Sequence, residues 1–287
     1  MYSQPARTGH RTRAEFTPYV LRVRGKAMAM ALIIGVPTTT PYSTTFASRS
    51  AVLTDWTPQE SCAHCSNAEA DGSHKDECTN MTLSATTFGS NGMTHTTQAL
   101  GSSIATSCRT TQQVCSSGHL TWNPVLKFGN ISVVARWFPG SQGTVQTATG
   151  FIGLDAPGNE ASITMGFHGV GWLGGHGEGP HRYQHGIYAD VRKSHNRMYT
   201  DVAADISAGF HQYGLLWTPS LVEWFFDGAS VRKVTNASII PQIGMQLRLH
   251  TRSGYCGHMA PNTSFQATFQ SFSYEPVAHG VQELASE

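Results

Sequence analysis

The feature that most restricts the fold is a period-two alternation of apolar and polar side chains that recurs from His119 onward, broken each time by turn residues. Ile131, Val133, Ala135 and Trp137 alternate with Ser132, Val134, Arg136 and Phe138 before the turn Pro139-Gly140-Ser141. Met245, Leu247 and Leu249 alternate with Gln246, Arg248 and His250, and Val222-Glu223-Trp224-Phe225-Phe226 ends at Asp227-Gly228. Residues i and i+2 of a strand share a face, so each segment offers one apolar face to a core. Asp-Gly suits a two-residue hairpin turn, whose central residues both need positive φ. Strands recurring every 8 to 12 residues or so, with no helical period between them, predict an all-β, two-sheet antiparallel sandwich or jelly roll over about 52–276. Composition agrees: only 13% of residues are charged and Gly, Ser and Thr abound, whereas amphipathic helices would be rich in Glu, Lys and Leu.

A chain of 287 residues accommodates one such domain with tails. Residues 1–47 read as a signal-like leader and linker, 48–118 as a Cys/Ser/Thr-rich N-terminal part of the sandwich, 119–276 as its body and 277–287 as a polar tail. In the leader, Arg22, Arg24 and Lys26 precede the apolar run Ala27 to Val36, which has the length of a signal-peptide core and is too short to span a bilayer. Cleavage is expected near Ala47, and no membrane span is read. Four Asn-x-Ser/Thr acceptors, Asn80, Asn130, Asn236 and Asn262, are usable only in a secretory lumen. The expectation is a secreted protein, extracellular or in a cell wall, working as a monomer. In that compartment Cys62, Cys65, Cys78, Cys108, Cys115 and Cys256 read as disulfides, with pairing open among about 15 possibilities. The alternative is zinc held by Cys62, Cys65 and Cys78 with His64 and His74, which the secretory signals disfavour. Lysine plus arginine (19) nearly balances aspartate plus glutamate (18), so no field draws phosphate backbones and no nucleic acid is expected.

Two stretches carry a family likeness. The first joins Ser117-Gly118-His119-Leu120-Thr121-Trp122, Phe128 to Arg136 and Pro139 to Val145. The second is Phe210-His211-Gln212-Tyr213-Gly214-Leu215-Leu216-Trp217-Thr218-Pro219, followed by Trp224-Phe225-Phe226-Asp227-Gly228 and Val231-Arg232. Together they resemble glycoside hydrolase family 16, whose β-glucanases and xyloglucan transglycosylases share F-H-x-Y-x-x-x-W-T-P and x-V-D-G-x-x-V-R. The resemblance covers about 115–276 and implies a concanavalin-like jelly roll of two antiparallel sheets with a glycan cleft across the concave one.

The family carries its chemistry on one strand, as E-x-D-x-E followed by F-L-G. Positions i, i+2 and i+4 share a face, so nucleophile, supporting aspartate and acid/base glutamate all point into the cleft. Here the matching strand is Glu160 to Gly169, and aligning Phe167-His168-Gly169 with F-L-G puts Ser162, Thr164 and Gly166 at the three catalytic positions. Ala161, Ile163, Met165 and Phe167 are expected to pack inward. A serine or threonine hydroxyl does not protonate a leaving group near neutral pH, and glycine has no side chain, so the retaining machinery is absent. Glu160 is the lone acid read on the cleft face.

The following loop is rich in histidine, with His176, His181 and His185 beside Glu178 as candidate metal ligands. Tyr183-Gln184-His185-Gly186-Ile187-Tyr188 is similar to the family's next cleft strand. Trp172, Tyr183 and Tyr188 are therefore candidate stacking faces for sugar, with Gln184, His185 and His168 as hydrogen-bonding partners. No cofactor motif is read. The expected function is recognition of a β-glucan or related wall polysaccharide by a degenerate hydrolase. The alternatives are an active glucanase or transglycosylase with displaced catalytic residues, and a structural or adhesive extracellular protein.

Overall fold

The computed structural model describes residues 37–63, 79–100, 114–138, 148–156, 161–168, 182–188, 196–253 and 264–277. The N-terminal part runs β1 (Tyr42–Thr45), α1 (Arg49–Asp55), β2 (Trp56–Pro58), β3 (Ser61–Ala63), β4 (Thr79–Met81), β5 (Thr86–Gly89), β6 (Gly92–Leu100) and β7 (Val114–Ser117). It continues through β8 (His119–Trp122), β9 (Gly129–Arg136), β10 (Ala148–Asp155), β11 (Ser162–His168) and β12 (Arg182–Tyr188). The remaining strands are β13 (Asn196–Asp201), β14 (His211–Trp217), β15 (Val222–Phe226), β16 (Ala229–Val234), β17 (Gln246–Ser253) and β18 (Ser264–Glu275). Among the described residues the only α-helix is the seven-residue α1, capped by Ser48, whose hydroxyl accepts from Ala51 N–H. None is long and apolar enough to cross a membrane.

The strands form two sheets, and every described pairing is antiparallel except β4 with β7. One sheet has the order β16-β15-β14-β9-β18-β6-β7-β4-β3, with β1 on β18 and β5 on β6; the other is β13-β12-β11-β10-β17-β8-β2. Neighbours distant in sequence, such as β9 beside β18 and β10 beside β17, come from a chain that crosses repeatedly between the sheets, which makes the sandwich a jelly roll.

Period two decides what lies between the layers. Ile131, Val133 and Ala135 of β9, Tyr213, Leu215 and Trp217 of β14, and Leu247 and Leu249 of β17 are all buried in one core with Ile163 and Met165 of β11. Aromatic rings meet edge to face there, as with Trp137 on Phe269 at 5.5 Å and 90° and Trp56 on Phe272 at 5.5 Å and 85°. One contact fixes the site strand against the opposite sheet: the indole N–H of Trp224 on β15 donates to the carbonyl oxygen of Thr164 on β11 at 3.1 Å.

The sandwich begins earlier than the boundary drawn at residue 48. β1 pairs with β18, Phe46 is fully buried with its ring 5.2 Å from Trp56, and Thr38 N–H donates to Val125 O at 2.8 Å. Cleavage near Ala47 would strip these groups from the core.

Candidate functional site

Cross-strand register sorts the seven-stranded sheet into two faces. In β11, Ile163 lies opposite Leu154 and Ile187, and Met165 opposite Ile152 and His185, and these side chains face the core. Ser162, Thr164 and Gly166 therefore occupy the other face of the strand. Their cross-strand neighbours are Asp155, Gly153 and Phe151 on β10 and Tyr188, Gly186 and Gln184 on β12. Beyond β10, Asp155, Gly153 and Phe151 pair with Gln246, Arg248 and His250 of β17, which in turn meets Thr121 and His119 of β8. This outer face carries the candidate site.

It is polar and covered. Ser162 is 5% exposed and Thr164 9%, and Gln184 is fully buried. The Thr164 hydroxyl and both amide atoms of Gln184 have no hydrogen-bond partner. Gln184 thus stands on the expected face. Asp155 and Arg248 form an ion pair, Nη1 to Oδ2 at 3.4 Å. Burial pushes the Asp155 carboxyl above its usual range, and the Arg248 guanidinium partly offsets that. Among the described residues a Cβ at Gly153 would meet only Asp155 Oδ2, at 3.6 Å, an ordinary contact distance. At the β8 side, His119 and His250 stack with centroids 5.2 Å apart.

Two expected sugar contacts belong to the core instead. Tyr183 is fully buried between the sheets, its ring 5.4 Å from Tyr213 and 6.1 Å from Phe226, so it offers no platform to a ligand on the outer face. His185 points the same way: Nε2 bonds Thr200 Oγ1 at 2.8 Å, Nδ1 lies 3.4 Å from Arg232, and the ring packs on Trp224. Burial, reinforced by Arg232, lowers its pKa to about 3, and both ring nitrogens are engaged on the core side of the strand. The physical reason is parity, because Tyr183 and His185 alternate in step with the buried Ile187.

Other expected residues fall elsewhere. His168 and Tyr188 have described backbone positions at strand ends, opposite Thr149 and Ser162, but their side chains lie outside the described residues. Glu160, Trp172, His176, Glu178, His181, Cys65, Cys78, Cys108, Cys256 and Asn262 also lie outside them, as does the side chain of Cys62. Among the described residues no group of three His, Cys, Asp or Glu side chains converges on a metal position. Asn130 and Asn236 are exposed, and Asn80 is partly buried.

Sequence reasoning missed Asp155, naming Glu160 as the one carboxylate of this face. The signal was present: Ile152 and Leu154 are apolar, so Gly153 and Asp155 share the opposite face, and β10 pairs with β11 so that Asp155 lies opposite Ser162. Arg248 was read as the polar side of β17 but was not connected to the site.

The residues carrying the family likeness do structural work. Asp227 accepts from the backbone N–H of Gln212 at 2.8 Å and bonds His211 Nδ1 at 2.7 Å, and Trp217 Nε1 donates to Pro241 O at 3.1 Å.

The family model described as "Glycosyl hydrolases family 16" matches residues 64–266. Among solved structures, the Bacillus licheniformis beta-glucanase is 14% identical with a TM-score of 0.58, covering 83% of this chain and 98% of that one. The laminarinase catalytic domain of Thermotoga maritima is 13% identical with a TM-score of 0.61, covering 83% of this chain and 98% of that one. The apo Crh5 transglycosylase is 20% identical with a TM-score of 0.57, covering 85% and 87%. At these identities the likeness concerns the fold. No curated protein sequence matches the chain.

Proposed function

The chain belongs to glycosyl hydrolases family 16, and from that membership we propose that it is a secreted glycan-binding protein that recognises a β-glucan or related wall polysaccharide without cleaving it. What supports the reading is the register that aligns Ser162, Thr164 and Gly166 with E-x-D-x-E, together with their place on the outer face of a strand whose apolar residues alternate inward. Retaining hydrolysis needs one carboxyl to attack and one to cycle as acid and base, about 5 Å apart. At those positions this strand offers hydroxyls and a bare backbone. Binding asks for less: a covered polar face with convergent donors and acceptors, which Gln184, Thr164, Asp155 and Arg248 supply.

Secretion rests on the leader pattern, the four Asn-x-Ser/Thr acceptors and the six cysteines, of which the buried Cys115 is disulfide-bonded. The protein works as a monomer in this reading. The test measures binding and product release on one purified sample with laminarin, mixed-linkage β-glucan and xyloglucan. The expected result is binding to at least one of them with no reducing ends released. Robust turnover abolished by Glu160→Gln would overturn the reading and establish a displaced catalytic carboxyl.

A further inference from the structure

The Asp155–Arg248 pair has no place in the retaining chemistry, yet it stands on the same face as Ser162 and Thr164. Asp155 is directly across from Ser162, and Arg248 is across Gly153 from Thr164. Among the described residues a Cβ at the buried Gly153 would meet only Asp155 Oδ2, at 3.6 Å, so no described side chain fills the floor beside this pair. A glycine inside a strand often marks a place where a ligand approaches the backbone closely. A second observation points to a ligand independently. Gln184 is fully buried with neither amide atom partnered, the Thr164 hydroxyl is unpartnered, and Arg248 Nε is a buried donor without an acceptor. Buried polar atoms are nearly always hydrogen-bonded, so several orphans on one face describe a surface awaiting a hydroxyl-rich partner. Asp155 on β10 and Gln184 on β12 flank β11, two strand spacings apart and four residues offset, roughly 16 Å in all, a length of about three sugar rings.

We propose that Asp155, braced by Arg248, is the specificity-determining carboxylate of this face and selects a neutral glycan with vicinal hydroxyls over an acidic one. The inference rests on the glycan-binding reading above. The two carboxylate oxygens accept from adjacent hydroxyls of one sugar ring, and Arg248 Nε–H donates to a further sugar oxygen, with Thr164 and Gln184 serving the next rings. Because Arg248 is already paired with Asp155, a uronate or sulfate group finds no free cation at this pair to offset its desolvation and is turned away.

The experiment is isothermal titration of the full chain with laminarin, mixed-linkage β-glucan and polygalacturonate, using wild type, Asp155→Asn, Gly153→Val and, as a control on the other sheet, Glu223→Gln. Asp155→Asn preserves shape and removes charge. It is expected to weaken binding of the neutral glucan about tenfold or more, the usual worth of hydrogen bonds to a charged group, and to shrink the preference over polygalacturonate. A purely structural role for Asp155 would not move that preference. Gly153→Val suits a strand, leaves the charges alone and sets bulk against the Asp155 carboxylate, so it is expected to abolish binding, whereas Glu223→Gln leaves it unchanged. Wild-type affinity in either Asp155→Asn or Gly153→Val overturns the proposal, as does tighter binding of polygalacturonate than of any neutral glucan, which would leave the glycan-binding reading standing. Failure of the wild type to bind any of these polymers, or xyloglucan, removes that reading itself.

Discussion

His95 and His185 sit on the inner faces of opposite sheets, and both are held neutral by burial, with pKa values lowered to about 3. For His95 desolvation dominates and nearby His119 adds to it; both of its ring nitrogens are buried without partners. In the unfolded chain a histidine titrates near 6.5. Above that value neither state is charged and these residues cost nothing. As pH falls below it the unfolded state takes up protons that the folded state refuses, so stability declines from about 6.5 down to about 3, by about 1.4 kcal/mol per pH unit for each such histidine. The expected outcome is a urea midpoint that drops steadily between pH 7 and pH 5, with a shallower slope in His95→Gln. An identical slope in that variant would show that His95 titrates normally. The same residue-level logic separates Gln184, which faces outward, from Tyr183 and His185, which do not. Parity with Ile187 made that distinction readable from sequence. Treating the whole of β12 as one binding surface obscured it.

At the level of elements, the β15–β16 hairpin shows why the most specific family motif is silent on chemistry. Its two-residue loop, Asp227 at φ 47° and Gly228 at φ 80°, is the positive-φ turn that Asp-Gly announces. The Asp227 carboxylate then reaches across to β14, taking the Gln212 amide and His211. The turn is thereby tied to the strand that carries Tyr213 and Trp217 into the core. Asp227→Ala is expected to cost about 1–2 kcal/mol, discounted because the carboxylate is well exposed, with Asp227→Asn retaining part of it. Equilibrium urea unfolding reads this directly; a midpoint equal to wild type would mean the hairpin is held by β-pairing alone. Glycan affinity should not change, since this clamp lies on the opposite sheet from Asp155.

For the whole molecule, the N-terminal edge decides how much chain the sandwich needs. The Tyr42 ring lies 4.8 Å from that of Trp122, Phe46 fills the core beside Trp56, and Tyr274 Oη donates to Thr38 O at 3.3 Å. Removing a buried phenylalanine alone typically costs about 3–5 kcal/mol, against a total stability of about 5–15 kcal/mol. A chain starting at Pro37 is therefore expected to unfold cooperatively like the full-length protein. One starting at Ser48 should show a much lower midpoint or no cooperative transition in circular dichroism. Equal midpoints would show that β1 is dispensable.

What the sequence determined by itself is whatever depends on local periodicity and turn chemistry. Alternation in β9, β11 and β17 placed their apolar side chains, Asp227-Gly228 placed a hairpin, and the scarcity of helical periods excluded a helical scaffold. The absence of carboxyls at 162, 164 and 166 was likewise readable, because it needs only a register along one strand. Tertiary structure alone decided which strands lie side by side. Only pairing between residues nearly a hundred positions apart brings Arg248 of β17 against Asp155 of β10, and only the packing of two sheets joins Trp224 to the backbone of Thr164. β1 escaped notice for the same reason: four residues in a polar segment carry too little period to be seen, and their stability comes from β18, more than 200 positions away.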